Sequence, residues 1–531
     1  MHEPIMERQT EKRERETRVF ESDYSRVGGE QALSLWSGAR WRRWAVPLLL
    51  GMAAILVYAN SFPGAFILDD LHIAKNNGLV IDPDLWTIFT SDYWHGLENS
   101  GLFRPLTILS LAVNRQLLGA EAWSFHLVNV LLHAGVTVLL WRVLRDWQLP
   151  PLAAGLAALL FALHPIHAEV VNEVVGRSEL LVACFLLGGF VLARYPGAGA
   201  GAAVCISYLL ALLSKEHAVT FVVLLPMAEA FTAGTVRRWR ERWPLYASLL
   251  LITAAWLLWR KYAVVSPLPL SHPTEAAAPL AHVDTLTRVL TAVLLQGVYL
   301  VKLLLPVGLQ GVYSTADLPE FLRSSWTWRG VTTSLGTVAI LGGIAWGVRR
   351  RFLAALFACL YVTAFLPTSN ILLPIGVSMA ERLAYFPSAW FCAVIGAMAA
   401  RPLEEIRWRR GVAGLLVLYA CGLAVTTIRR NPDFSSEIAL WEAEVRNNPT
   451  DYLGWQSLAE SYANQRRIDE ADGAYLKMLD LAPDYPGGLR SRTYFLLRAQ
   501  RYEEALATAS KVFALSREKG DPVALAFDGL D

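Results

Sequence analysis

Twelve apolar stretches recur along the chain between polar segments. The first, AVPLLLGMAAILVYANSF over 45–62, holds no charge. It is long enough to cross a bilayer, whose hydrocarbon core takes about 20 apolar residues. Others follow near 122–141, 151–164, 178–194, 202–214, 216–232, 244–262, 286–305, 331–348, 352–367, 382–400 and 411–428. Backbone groups in lipid must bond within their own segment, so each stretch is predicted to be a helix. Arginine clusters at Arg142/Arg145, Arg237/Arg238/Arg240/Arg242, Arg349/Arg350/Arg351 and Arg401/Arg407/Arg409/Arg410 mark cytosolic ends. Segments 63–121, 165–177 and 264–285 then lie on the opposite side. The alternation closes with about eleven full spans if the 286–305 helix, which carries Gln296 and Lys302, lies along or re-enters the membrane. The C-terminal tail is then extracytoplasmic, although Arg429 and Arg430 at the outer end of the last span pull the other way.

The two flanks have a different pattern. Residues 1–44 are polar and charged, as in EKRERETR, and end on the basic border Trp41-Arg42-Arg43-Trp44. They are expected to form a disordered cytosolic arm rather than a cleaved signal. After residue 430 the chain becomes soluble in character. Trp455, Leu458, Ala459, Tyr462, Ala471, Tyr475 and Pro483 fit tetratricopeptide spacing, and Pro449 and Pro483 lie one 34-residue period apart. Residues 431–531 are therefore expected to stack as a helical repeat domain with a concave surface for a peptide or protein. The expected fold class is all-α, with a polytopic membrane domain over 45–430 and a C-terminal α-solenoid.

Composition narrows the class. Only 18% of residues are charged, against about 25% in soluble chains. Mean hydropathy is +0.36, and 19 Trp, 18 Tyr and 21 Phe suit membrane interfaces. This excludes a disordered chain, a disulfide-stapled secreted module and an ordinary cytosolic enzyme. A net charge of +2 leaves no role for nucleic acid. Cys184, Cys205, Cys359, Cys392 and Cys421 each lie in an apolar stretch without a CxxC, so they read as buried hydrophobes.

Candidate chemistry gathers in the outer segments. Phe66-Ile67-Leu68-Asp69-Asp70 places two carboxylates just beyond the first span, where one can take a proton from an acceptor hydroxyl. Repulsion between neighbours raises one of their pKa values. Spacing alone also fits a helix cap on a wet loop. Phe103-Arg104-Pro105 follows in the same segment. The next outer segment runs from His164-Pro165-Ile166-His167-Ala168-Glu169 to Arg177 and Glu179. It reads as a polar wall, with the Arg177 guanidinium able to fork onto phosphate oxygens. His164 and His167 could be metal ligands with Glu169, but Pro165 breaks the helical spacing and no further strong ligand is evident, so no metal is assigned and divalent metal dependence is left open. Ser214-Lys215-Glu216-His217 interrupts two apolar runs and offers Lys215 as a further cation. Glu381-Arg382 and Tyr385 open the 382–400 span, with Glu381 expected to orient Arg382 at the lipid-phosphate level. Tyr299 and Tyr313 are further candidates for the cavity wall. No GxxxxGK[ST], HExxH or GxSxG is present, which removes NTP hydrolysis, metalloprotease and serine-hydrolase chemistry.

Taken in order, FILDD (66–70), FRPLTILSLAVN (103–114), FHLVNVLLHA (125–134), HPIHAEVVNEVVGRSELL (164–181), LSKEHAVTFVVLLP (213–226), AERLAYFPS (380–388) and RNPDFSSEIALWEAEVRNNP (430–449) resemble the transmembrane and tetratricopeptide-repeat-containing O-mannosyltransferase-like family of the GT-C superfamily. The resemblance covers nearly everything from 45 to 516. It implies a GT-C membrane domain that moves a sugar, with mannose expected, from a polyprenyl- or dolichyl-phosphate to a protein Ser/Thr hydroxyl on the extracytoplasmic side. The catalytic base maps onto Asp69 or Asp70. The lipid-phosphate role maps onto Arg382, then Arg177 and Arg104, with Lys215 beside them. His164, His167, Glu169, Glu381 and Tyr385 would wall the cavity, and the repeats would hold the acceptor. The implied membrane is the bacterial inner membrane or the endoplasmic reticulum. Two rival classes remain from sequence: a membrane-anchored repeat scaffold without catalysis, and a lipid-linked sugar flippase, which the uncharged span centres disfavour.

Overall fold

Each of the twelve apolar stretches becomes a helix in the computed structural model, which describes residues 36–96, 100–233, 236–264, 279–313, 328–350 and 352–518. In chain order the α-helices are α1 (Trp36–Tyr58), α2 (Gly78–Ile81), α3 (Leu85–Thr90), α4 (Pro105–Leu118), α5 (Ala122–Asp146), α6 (Pro151–Leu163) and α7 (Ala168–Asn172). Then come α8 (Arg177–Leu192), α9 (Ala198–Leu212), α10 (Phe221–Ala233), α11 (Val236–Ala263), α12 (Thr285–Leu304), α13 (Trp328–Arg349), α14 (Leu353–Phe365), α15 (Tyr385–Glu404) and α16 (Ile406–Arg430). The tail adds α17 (Glu437–Asn447), α18 (Tyr452–Asn464), α19 (Ile468–Leu481), α20 (Pro486–Arg498) and α21 (Tyr502–Glu518). Of the expected N-terminal arm, 1–35 lies outside the described residues, and Trp36–Trp44 already belongs to α1.

Two units divide the chain. In Met1–Leu50 the described part is the opening of α1. Gly51–Asp531 holds all the structure that follows.

Among the described residues six helices are long and apolar enough to cross a membrane, or seven if α6 and the Pro165–Asn172 segment form one span bent by 46°. Several further apolar runs form helices too short to cross on their own. Helices α6, α10 and α14 have 13 residues each and α9 has 15, short of the roughly 20 that a bilayer core takes. Polar breaks end three of them, α6 at His164-Pro165, α9 at Ser214-Lys215 and α14 at Pro367-Thr368, while α10 begins beyond the second break after the Glu216–Thr220 turn. The 286–305 segment is a single helix, α12, and by length and composition is itself a candidate span.

Small side chains let the helices approach closely. Ala153, Ala154, Ala157, Ala158 and Ala162 of α6 are all fully buried. Trp147, Phe357 and Trp390 stack in parallel behind them, with ring centres 5.6–6.3 Å apart. The polar breaks meet at one end of this bundle. The Leu106 amide donates to the Leu213 carbonyl, and Arg104 reaches Glu216. The tail has its own core, formed by Leu458, Ala459, Ala471, Tyr475, Met478, Phe495 and Leu496. Its hairpins α18/α19 and α20/α21 lie where the 34-residue periodicity predicts paired helices.

Candidate active site

Asp69 and Asp70 are adjacent, yet the turn that carries them sends them in opposite directions. Asp70 is fully buried. Its carboxylate accepts the backbone N–H groups of Val175 at 2.8 Å and Val174 at 3.1 Å, and approaches that of Ile67 at 3.4 Å. The Val174–Gly176 turn can present those groups because residue 176 lacks a side chain. A Cβ there would lie 2.1 Å from the Val170 carbonyl oxygen. Burial pushes Asp70 up to about 7, against the downward pull of the three N–H groups, and Asp69 adds to the rise.

Asp69 is exposed, and among the described residues its carboxylate has no hydrogen bond or ion pair. It sits in a recess where surrounding protein raises its pKa, while the charges of Arg382, His72 and Arg104 hold it down. Glu169 contributes a further negative charge.

Arg382 faces the same recess. Its guanidinium pairs with Glu169, and its backbone N–H donates to the other Glu169 oxygen at 2.7 Å. Glu169 is buried, but the Arg382 side chain remains 37% exposed. The arginine is therefore fixed on one side and open on the other. The Ala380–Arg382 turn is held by Tyr299, whose hydroxyl donates to the Ala380 carbonyl at 2.8 Å and accepts the Ala380 N–H at 3.0 Å.

Glu381 does not orient Arg382 as expected. Consecutive residues of this 3-10 turn point about 120° apart, and Glu381 turns inward to pair with Arg430. It also accepts the Tyr313 hydroxyl at 2.9 Å and the Gln310 N–H at 2.8 Å. Glu173 lies against Glu169, Asp70 and Arg382, and burial foremost raises its pKa well above the carboxylate range.

The other sequence candidates divide by how much of their bonding is already used. Arg177 is fully buried. It donates to Asn129 at 2.9 Å, Asn114 at 2.8 Å, the Phe125 carbonyl at 2.9 Å and the Ser110 carbonyl at 3.3 Å. Four of its five N–H groups are committed and the side chain is fully buried, so Arg177 acts as a structural tie behind Asp70. Arg104 lies over the Tyr93 ring and pairs with Glu216 at 3.0 Å. Lys215 pairs with Glu179 at 2.6 Å, and His217 lies 3.3 Å from the same carboxylate. These cations border the recess but are largely neutralised by their partners.

His164, His167, Glu381 and Tyr385 were expected to line the cavity, but they are fully buried and stand behind its wall. His164 donates to the Leu303 carbonyl at 2.9 Å and accepts the Ile166 N–H at 3.1 Å. His167 bonds Ser388 at 2.8 Å, and the Tyr385 hydroxyl meets His133 at 2.8 Å. Among the described residues no three His, Cys, Asp or Glu side chains are grouped to hold a metal ion. Three residues were missed from sequence. His72 lies three positions after Asp69, a spacing that could have indicated it. Arg430 reads from sequence as a topology signal, and Glu437 reads as an ordinary first-turn acid.

No family model matches the chain. It is 28% identical over 506 residues to the mouse protein O-mannosyl-transferase TMTC3, covering 87% of this chain and 54% of that one. It is 29% identical over 409 residues to human protein O-mannosyl-transferase TMTC4, covering 66% of this chain and 55% of that one. The chain thus spans about half the length of the curated relatives it matches. Among solved structures, the crystal structure of ArnT from Cupriavidus metallidurans bound to undecaprenyl phosphate shares 15% identity and covers 82% of this chain and 76% of that one. Its TM-score of 0.38 is too low to carry an argument. The resemblance carried by the ordered sequence segments holds along most of the chain: it is similar to the protein O-mannosyl-transferases of animals.

Proposed function

We propose that the chain is a GT-C type membrane glycosyltransferase that moves a sugar, with mannose expected, from a polyprenyl- or dolichyl-phosphate donor to a protein Ser/Thr hydroxyl. One observation carries this reading: the Asp69 carboxylate, unpartnered among the described residues, faces an Arg382 guanidinium that is fixed by buried Glu169 and still open. The acceptor oxygen attacks the anomeric carbon, the bond from that carbon to the phosphate oxygen breaks, and Asp69 takes the hydroxyl proton. The departing lipid phosphate gains negative charge, which the fixed cation stabilises. Asp70 stays out of the chemistry and shapes the turn. The recess lies on the extracytoplasmic side, and the hairpins form tetratricopeptide-like repeats that present the acceptor.

The test is a transfer assay with radiolabelled polyprenyl-phosphate sugars and membranes containing wild type, Asp69→Asn or Asp70→Asn. Asp69→Asn should lose transfer while accumulating normally and still binding donor. Full activity in Asp69→Asn would remove the base assignment. Absence of transfer in wild type across the donor set would remove the enzyme reading.

A further inference from the structure

Leu68, immediately before the aspartate pair, has φ +46°. Left-handed backbone is unfavourable for a residue with a Cβ and is uncommon outside Gly, Asn and Asp. Such a turn persists when its surroundings over-determine it, and here those surroundings come from the far end of the chain. The Glu437 Oε1 accepts the Leu68 N–H at 3.2 Å. The Ser435 carbonyl accepts the Ala65 N–H at 2.9 Å. Phe434 and Leu440 pack with Ile67, Leu68 and Ala168. Leu440 also lies where a Cβ on Gly311 would be, 2.4 Å away.

The same short segment holds the cation. Arg430 pairs with Glu381, the residue preceding Arg382, and donates to the Pro165 carbonyl at 2.9 Å. Asn431 is bonded to Asn172, Asn60 and the Val57 carbonyl at 2.7–3.0 Å. The junction between α16 and α17 therefore fixes both the turn bearing Asp69 and the turn bearing Arg382.

We propose that Glu437 is a positioning residue for Asp69, and that the Arg430–Leu440 junction sets the spacing between carboxylate and cation. The catalytic consequence rests on the transferase reading above, whereas the effect on the turn does not. Glu437 acts through the Leu68 amide and does not touch the recess. It is also the first residue of α17, where a carboxylate stabilises a helix N-terminus by charge alone. The two roles separate in Glu437→Gln, which keeps the acceptor oxygen and loses the charge.

The experiment uses the full chain in lipid nanodiscs and reads two quantities: hydrogen exchange over residues 65–70, and transfer from a labelled polyprenyl-phosphate sugar. Glu437→Ala should speed exchange over 65–70 at least tenfold and lower kcat at unchanged donor KM. Glu437→Gln should match wild type in both. Leu68→Asn, which accepts left-handed backbone more readily, should recover part of the Glu437→Ala loss. Unchanged exchange in Glu437→Ala, or a Glu437→Gln variant as impaired as Glu437→Ala, overturns the proposal. A wild type without transfer refutes the enzyme reading, and exchange still decides the role of Glu437. Should Glu437→Ala fail to accumulate, wild-type behaviour of Glu437→Gln together with slower exchange over 65–70 in Leu68→Asn alone supports the proposal, and the opposite results refute it.

Discussion

Arg177 and Arg382 belong to one polar belt, and the fold treats them in opposite ways. Around Arg177, two asparagines and two carbonyls take up the guanidinium and water is excluded. Around Arg382, one carboxylate fixes one edge and leaves the rest open. The aspartate pair repeats the contrast over a single peptide bond, since Asp70 is bonded to three N–H groups and Asp69 to none among the described residues. A charged side chain is available for chemistry where the fold leaves part of its bonding unused. Burial of a fully satisfied charge contributes shape instead.

This contrast can be broken by substitution. Asp69→Asn should cost transfer about 10²–10⁴-fold, the range for losing a general base, without lowering the amount of folded protein in membranes. The wild-type rate should rise tenfold per pH unit up to the pKa of Asp69, which burial holds above its ordinary value, and then level off. A flat profile would count against the base. Arg382→Lys keeps a cation for Glu169 but gives up the second edge of the fork. Transfer should fall on the order of 10²-fold, and a variant with wild-type kcat would show that the open edge is unused.

Arg177→Met should do the reverse. Stripping donors from Asn114, Asn129 and two carbonyls should cost on the order of 3 kcal/mol of stability, seen as a lower melting temperature in detergent, while each surviving molecule transfers at the normal rate. A normal melting temperature with lost transfer would exchange the two arginines' roles. Asp70→Asn should show the smallest effect, about 1–2 kcal/mol, because the amide group cannot serve both Val174 and Val175. Asp70 binds its proton more tightly in the folded chain, where its pKa is about 7 rather than 3.8. Its contribution to stability is therefore complete below pH 3.8 and declines as pH rises toward 7. Thermal melts at several pH values should show that decline in wild type and lack it in Asp70→Asn.

The helices were legible in the sequence because apolarity over a run of residues is a local property. All twelve runs appear, and the polar breaks at His164, Ser214 and Thr368 fall at helix ends. Part of the grouping was legible as well, since the charges of Arg382 and Arg104 both act on Asp69. Its wiring was not. Glu169 meets Arg382 across 213 positions and Glu216 meets Arg104 across 112, and no local pattern marks such partners. Which aspartate faces outward depends on the φ angle of Leu68, a leucine with no turn signature. Arg430 looked like a flanking charge because its neutralising partner, Glu381, is supplied by another helix.

The bond between Leu68 and Glu437 spans 369 positions of chain. Ribosomes add about 5–20 residues per second, so the loop emerges tens of seconds before its acceptor exists. During that interval the nascent protein has membrane helices, but the Leu68 turn lacks the contact that fixes it. A chain released before the junction is made should insert into the bilayer with the turn bearing Asp69 still unfixed.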